Sequence, residues 1–107
     1  MKQSRNFCPI RDILDRLGDK WSIFVLLKLK ENPQRFNDLY RNIPEISERM
    51  LAFTLKKLES FNLITRQAFA ELPPHVEYSL TFAGRSLIPH IDALVHWAKD
   101  NKLTILR

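Results

Sequence analysis

The chain has 107 residues, of which 45% are hydrophobic and 27% charged, and this composition predicts one folded domain over residues 1–107. An excess of 17 Lys and Arg over 12 Asp and Glu gives a net charge of +5, which suits a polyanionic partner such as a nucleic acid. The single cysteine, Cys8, excludes an intramolecular disulfide, and the lack of a signal peptide and of a membrane-spanning apolar stretch predicts a cytoplasmic protein that binds no membrane.

The first two predicted helices differ in how much of their surface is apolar. The first begins at Pro9, a residue type favoured at the first helical position, and ends before Gly18. Its apolar residues recur at helical spacing and form one face, made of Ile10, Ile13, Leu14 and Leu17. The second, over residues 20–31, is apolar on almost every side, which predicts a position in the core.

A helix-turn-helix pattern follows over residues 35–61. A short helix is predicted from three residues at helical spacing, Phe36, Leu39 and Tyr40. Ser47 is a favoured N-cap for the next helix, over residues 48–61, whose buried stripe is Leu51, Leu55 and Leu58. Asn62 can end this helix in a left-handed conformation. Two helices joined by a short connection, the second with a clear N-cap, are typical of DNA-binding helix-turn-helix units.

A β-hairpin is predicted directly after these helices. Residues 63–69 are partly β-branched, and residues 76–80 alternate between apolar and polar, so each stretch favours a strand. Residues 71–75 contain two prolines and predict the tip between the strands. The hairpin, residues 63–80, would stand beside the helix-turn-helix as a wing. The sequence therefore predicts a mainly α fold with a small β-hairpin, the winged helix-turn-helix.

The last helix, residues 81–101, carries more apolar surface than one small domain can cover. Thr81 caps it, and Trp97, Leu103, Ile105 and Leu106 add to its apolar side chains. A symmetric dimer through this helix and the first helix, residues 8–17, would bury that surface. The predicted interface residues are Ile10, Leu14, Leu87, Ile91, Leu94, Val95 and Ala98. The alternative is that these residues only fill the core of a single chain.

Several short motifs stand in a characteristic order along the chain. They are Cys8-Pro9, residues 18–21 (Gly-Asp-Lys-Trp), residues 35–39 (Arg-Phe-Asn-Asp-Leu), Ile46-Ser47, residues 55–59 (Leu-Lys-Lys-Leu-Glu) and residues 73–81 (Pro-Pro-His-Val-Glu-Tyr-Ser-Leu-Thr). Together they resemble the HxlR family of winged-helix regulators, which are related to the MarR group, over residues 8–97.

This resemblance implies a function and a way of controlling it. It implies a homodimer that binds a pseudo-palindromic operator in double-stranded DNA, as a repressor or activator of stress and detoxification genes. Several members of the family use the cysteine that matches Cys8 to sense oxidants or electrophiles. Since no side chains stand at a catalytic or metal-ligating spacing, we predict neither an enzyme nor a metal or cofactor site.

Four positions depart from the family pattern near the expected DNA contacts. Glu45 stands where the family usually has Gly, and Ala52 and Phe53 stand where it usually has small polar residues or Gln. His75 stands where it commonly has Arg. Each change removes a polar or positive group or adds a negative one, so the operator sequence is expected to differ.

The helix that Ser47 caps carries the central candidate DNA contacts. Arg49, in its first turn, is expected to read a base, ideally as a bidentate ligand of guanine. Ser47 and the amides after it can hold a phosphate at the positive end of the helix, and Lys56 and Lys57 are expected to contact phosphates. Phe53 could touch thymine methyl groups, with packing in the core or in a dimer as the alternative.

Further candidates flank this helix. Arg35 and Asn37 are expected to contact phosphates, and Arg66 and His75 to approach the minor groove from the wing. The alternative for these side chains is an ordinary solvated surface. Residues 33–62 hold five basic and four acidic side chains, a net charge of only +1, which leaves that alternative open.

Cys8 is the candidate redox sensor. It precedes Pro9 at the start of a helix, where the helix dipole favours the reactive thiolate, and Arg5 and Arg11 are near in sequence. Because the chain has no second cysteine, it would bridge to a partner subunit, take a small-thiol cap or form an adduct. The alternative is an inert cysteine packed as a small hydrophobe.

Two other functions remain open from the sequence. One is a winged-helix protein-interaction module without DNA binding, which Glu45 and Phe53 favour. The other is a regulator that responds to a small molecule bound between the wing and the dimer helices.

Overall fold

The computed structural model describes residues 8–102, which form five helices and one three-stranded antiparallel sheet. In chain order the elements are α1 (Pro9–Leu17), α2 (Ser22–Leu29), β1 (Gln34–Arg35), α3 (Phe36–Asn42), α4 (Glu48–Ser60), β2 (Ile64–Phe69), β3 (His75–Leu80) and α5 (Phe82–Asp100). The predicted mainly α fold with a small β-hairpin is confirmed. Arg5, Leu103, Ile105 and Leu106 lie outside the described residues.

The ends of α4 and the start of α5 are set by the predicted capping residues. The Ser47 hydroxyl accepts a hydrogen bond from the amide of Met50 at 3.0 Å, and the Thr81 hydroxyl accepts one from the amide of Gly84 at 3.0 Å. Asn62, just after α4, has a φ of 62°. Each residue satisfies helix-terminal groups that would otherwise lack a partner, so these three predictions are confirmed.

The second helix, Ser22–Leu29, is shorter than the predicted residues 20–31 at both ends, and an aspartate before it explains the later start. The Asp19 carboxylate accepts hydrogen bonds from the amides of Trp21 and Ser22 at 2.9 and 3.0 Å, and from the Ser22 hydroxyl at 2.5 Å. These bonds satisfy the first free amides of the helix, as an N-cap does, and α2 begins at Ser22.

The sheet has the order β1-β3-β2. Strands β2 and β3 form the predicted hairpin, with Ile64 opposite Leu80 and Phe69 opposite His75. The residue at 75 therefore belongs to β3 and not to the predicted tip. Strand β1 pairs with β3 through Gln34 and Tyr78. The sequence did not indicate β1, because two residues are too short to show an alternating pattern.

The core is built around α2 and the buried sides of α3 and α4. Its fully buried aliphatic side chains are Val25, Leu26, Leu29, Leu39, Ile43, Leu51, Leu55, Leu58 and Ile64. The predicted core position of α2 and the predicted buried stripe of α4 are both confirmed.

The start of α5 is fastened to the junction of α4 and β2. The Thr81 hydroxyl donates to the carbonyl of Asn62 at 2.7 Å, and the Thr81 amide donates to the carbonyl of Leu63 at 3.0 Å. A Cβ atom on Gly84 would overlap the Leu63 carbonyl oxygen and crowd Leu80, so only glycine permits this close approach. The junction fixes the direction in which the hairpin leaves α4.

The two terminal helices expose large apolar side chains. On α1, Ile10 is 69% and Leu14 61% exposed, and on α5, Leu94 is 56% and Trp97 51% exposed. Ile91 is only 4% exposed and belongs to the core, which corrects its predicted place in a dimer interface. The other three predicted α5 residues are half-buried, namely Leu87, Val95 and Ala98. None of the described helices has the length and apolar character needed to cross a membrane.

Candidate nucleic-acid interface

Helix α4 separates its buried side from an exposed, polar and cationic side. Leu51, Leu55 and Leu58 point into the core together with Thr54, which is 1% exposed. The exposed residues of α4 are Glu48, Arg49, Met50, Ala52, Phe53, Lys56 and Ser60, of which Arg49, Phe53, Lys56 and Ser60 lie opposite the buried stripe. Arg49 and Lys56 therefore point outward, as a helix that reads DNA requires. We call Arg49, Phe53, Lys56 and Ser60 the outer face of α4.

Phe53 lies within this outer face and is 62% exposed. The suggestion that it packs in the core is therefore wrong. Its neighbour Met50 is 38% exposed at the border between the buried and exposed sides. Phe53 and Met50 therefore form an exposed apolar patch among the cationic side chains of α4.

Lys57 forms a salt bridge with another residue of the same chain. Its ammonium donates to the Asp19 carboxylate at 2.6 Å, and its side chain is only 19% exposed. Partial burial raises the pKa of the Asp19 carboxyl, but hydrogen bonds from Lys57, from the Ser22 hydroxyl and from the amides of Trp21 and Ser22 outweigh it and hold that pKa well below its usual value. This corrects the assignment of Lys57 as a phosphate ligand, because the pair joins α4 to the start of α2 instead.

The hairpin and α4 together enclose a concave surface. A cavity of about 440 Å³ lies between them and is lined by Phe36, Ala52, Lys56, Glu59, Arg66 and Tyr78. The fold thus brings Lys56 of α4 and Arg66 of β2 to one site, although they are ten positions apart in the sequence. With Glu59 also at its edge, the concavity carries a net charge of +1, which favours an anion such as a phosphate group beside the two cations.

His75 is mostly covered and is not a free wing-tip side chain. Its ring stacks on Phe69 with centroids 4.9 Å apart, and its Nε2 lies 3.2 Å from a carboxylate oxygen of Glu77. Only 12% of its side chain is exposed. These contacts hold the imidazole within the hairpin, which corrects the prediction that it leans on the minor groove.

Arg35 and Asn37 lie at the start of α3, beside the end of the hairpin. Both are exposed, and they line a shallow concavity with Pro74 and His75. The Arg35 amide donates to the Asp38 carboxylate at 3.4 Å, while its guanidinium faces the surface. By contrast, Arg41 pairs with Asp38 at 2.7 Å. The N-terminus of α3 thus presents one cation and one amide side chain.

Glu45 has a backbone conformation that its side chain alone did not indicate. Its φ is 69°, in the left-handed region that glycine adopts at little cost. The family preference for Gly at this position was interpreted as a matter of DNA contact, but the backbone supplies the reason. The turn between α3 and α4 requires a left-handed residue, and the family preference was the signal that could have shown it.

Cys8 is half-buried and stands at the N-cap position of α1. Its carbonyl accepts the amide of Asp12 at 2.9 Å. The helix that follows Cys8 carries the exposed apolar residues Ile10 and Leu14. Within residues 8–102, no three His, Cys, Asp or Glu side chains are grouped in a way that could hold a metal ion.

A helix-turn-helix formed by α3 and α4, with the β2–β3 hairpin beside it, defines a winged helix-turn-helix protein. The HxlR-like helix-turn-helix family matches residues 16–104, and the chain belongs to this family. The resemblance noted from the motifs is thereby confirmed.

Relatives and solved structures agree with this assignment. An HTH-type transcriptional regulator of Methanothermobacter thermautotrophicus is 43% identical over 99 residues, which cover 92% of this chain and 76% of the relative. The HTH-type transcriptional regulator YtfH of Escherichia coli is 39% identical over 99 residues, covering 92% and 79%. The family and these relatives are transcriptional regulators and not enzymes.

Two solved structures with similar folds are redox or transcriptional regulators. The redox regulator HypR in its oxidized form matches with a TM-score of 0.82 and 36% identity, covering 88% of this chain and 97% of that one. The reduced form of the transcriptional regulator YodB from B. subtilis matches with a TM-score of 0.80 and 32% identity, covering 92% and 96%.

Proposed function

We propose that this protein is a sequence-specific regulator of transcription that binds double-stranded DNA as a homodimer. The observation that carries the proposal is the division of α4 into a buried aliphatic side and an outer face with exposed Arg49 and Lys56. Such a helix, capped by Ser47, offers a cationic surface of the right width for the major groove.

In this proposal one exposed residue reads a base and the others contact the DNA backbone. Arg49 reads a base edge from the first turn of α4, where the helix N-terminus enters the groove. Lys56 and Arg66, which share one concavity, bind the phosphate backbone. The free amides at the start of α4, together with Ser47, hold a further phosphate. Arg35 and Asn37 add contacts from α3, as first helices of such motifs do.

The homodimer is formed through the exposed apolar sides of α1 and α5. Ile10, Leu14, Leu94 and Trp97 are each more than half exposed in the single chain, which is unfavourable in water unless a partner covers them. A two-fold contact through these helices presents two copies of α4 to one face of DNA. We expect the two half-sites to lie about one helical turn of DNA apart, roughly 34 Å, so that both copies of α4 enter the major groove on one face.

The test is the salt dependence of duplex binding. The full chain is used to select sites from a random duplex library, and affinity for a selected site is measured at several salt concentrations. With six or more phosphate contacts per dimer, affinity should fall by roughly a thousandfold between 50 and 200 mM salt. A protein-interaction module would select no site and show no salt-dependent binding to any duplex.

We also propose that Cys8 makes DNA binding respond to oxidants or electrophiles. The similarity to a protein described as a redox regulator supports this, as does the position of Cys8 at the start of α1, one of the two helices of the proposed dimer contact. Modifying Cys8 would then disturb the packing of the two chains. The expected result is that oxidant changes DNA affinity of the native protein and leaves Cys8→Ser unaffected. An equal response of both proteins would remove Cys8 from the mechanism.

A further inference from the structure

Phe53 is an exposed aromatic ring among cations on the outer face of α4. It borders two shallow concavities, one lined by Ser47, Arg49, Met50 and Phe53, the other by Phe53, Lys56, Lys57 and Ser60. The ring therefore forms a ridge between Arg49 and Lys56. It is 62% exposed, a large apolar area to leave in water.

The charges beside Phe53 decide which partner fits this ridge. A two-fold contact between two copies of α4 would bring Arg49 and Lys56 of one copy toward those of the other, and like charges repel. The apolar residues suited to contact with another chain lie on different helices, α1 and α5. A partner that is strongly anionic and also carries a small apolar group satisfies both the cations and the ring.

We propose that Phe53 recognises the C5-methyl group of a pyrimidine in the major groove. This inference rests on the proposed function and names the chemical group that the outer face selects. The thymine methyl is the apolar group that base pairs present in the major groove, and it is flanked there by phosphates. Because 5-methylcytosine carries the same methyl group at the same ring position, the site accepts either base.

The spacing of Arg49 and Phe53 indicates how far apart the two recognised bases lie along the DNA. The two residues are four apart, about 6 Å along the helix axis, or roughly two steps of 3.4 Å between base pairs. A guanine bound by Arg49 and a methylated pyrimidine bound by Phe53 therefore lie within about two base pairs of each other. Affinity consequently depends on cytosine methylation wherever cytosine replaces that thymine.

The experiment removes the methyl group without changing base pairing. In a duplex selected by the full native chain, each thymine is replaced in turn by deoxyuridine, and affinity is measured for the native protein and for Phe53→Ala. At one position per half-site, deoxyuridine should weaken native binding about fourfold, the effect of one buried methyl group. Phe53→Ala should bind the two duplexes equally. Cytosine at that position should bind the native protein better after C5-methylation.

The control is Phe82→Ala, which removes a phenylalanine that is 90% exposed on α5 and does not belong to the outer face of α4. It should keep the native response to deoxyuridine, and circular dichroism checks that both variants fold. Salt-dependent binding without any response to the methyl group would overturn this inference and leave the proposed function standing. No salt-dependent binding to any duplex would overturn both. If Phe53→Ala instead abolished self-association, the ridge would be a protein contact, and the inference would be wrong.

Discussion

Arg49 stands in the first turn of α4 with its side chain exposed beside Phe53. We predict that Arg49→Ala weakens binding to a selected duplex by about 1–3 kcal/mol, because a bidentate contact to guanine is lost. Fluorescence anisotropy with a labelled duplex measures the change. Arg85→Ala removes the same charge from an exposed position on α5 and should leave affinity nearly unchanged. Equal losses for both variants would show that Arg49 contributes charge alone.

Glu45 is held at a φ of 69°, a conformation that costs a residue with a Cβ atom roughly 1–2 kcal/mol. Glycine avoids this cost but loses more entropy on folding, so Glu45→Gly should stabilise the fold by about 0.5–1 kcal/mol. Urea denaturation measures the difference.

The matched control for this substitution is Asn62→Gly, at the second left-handed residue, with a φ of 62°. Asparagine tolerates this region better than glutamate does, so the gain should be smaller there. A loss of stability in Glu45→Gly would mean that the glutamate side chain makes a contact that outweighs its backbone cost.

At the scale of single residues, the exposure of a side chain was easier to predict than the residue that it contacts. Helical spacing placed Arg49 and Lys56 on the outside of α4. It did not show that Lys57 pairs with Asp19 or that His75 stacks on Phe69. Such partners come from other elements of the fold, and hydrophobic periodicity contains no information about them.

At the scale of elements, Asp19 links the start of α2 to α4. We predict that Asp19→Ala lowers the free energy of unfolding by about 0.5–2 kcal/mol at pH 7, because α2 loses its cap and Lys57 its partner. Denaturant titration at pH 7 measures it. The control is Asp15→Ala, which removes an exposed carboxylate from α1 and should change stability little.

The loss of stability in Asp19→Ala is expected to depend on pH. The pKa of Asp19 is lower in the folded protein than in the unfolded chain, so its stabilising effect is complete above the unfolded value, about 3.9, and is lost as the pH falls. The difference in stability between native protein and Asp19→Ala should therefore be constant above about pH 5 and shrink below pH 4. A difference that stayed constant down to pH 3 would contradict this origin.

The elements themselves followed closely from local signals. Ser47, Asn62 and Thr81 marked helix ends correctly, because capping depends on groups within three or four residues. The aspartate at 19 was an equally local signal, three residues before Ser22, and was overlooked. Strand β1 was different, because its pairing partners Tyr78 and Glu77 are more than 40 residues away in the sequence.

At the scale of the whole molecule, the exposed apolar surface of α1 and α5 predicts self-association. Leu94→Glu places a charge at a position that is 56% exposed in the single chain and would be buried in a dimer. We expect sedimentation to give the mass of two chains for the native protein and of one chain for this variant.

The control is Leu72→Glu, at a position that is 92% exposed between β2 and β3 and that belongs to neither helix. It should remain a dimer. A native protein that sediments as one chain at all concentrations would exclude the two-fold arrangement of half-sites.

The amino-acid sequence was enough to predict the class of fold, both ends of α4, the start of α5 and the outward direction of Arg49 and Lys56. These features depend on apolar spacing and on capping groups that are neighbours along the chain. The folded structure was needed to show that Lys57 pairs with Asp19 and that His75 stacks within the hairpin. It was also needed to show that Ile91 belongs to the core, that the backbone of Glu45 is left-handed, and that Lys56 and Arg66 line one concavity. Contacts between distant residues and backbone angles in turns arise when elements pack, and packing depends on the whole chain at once.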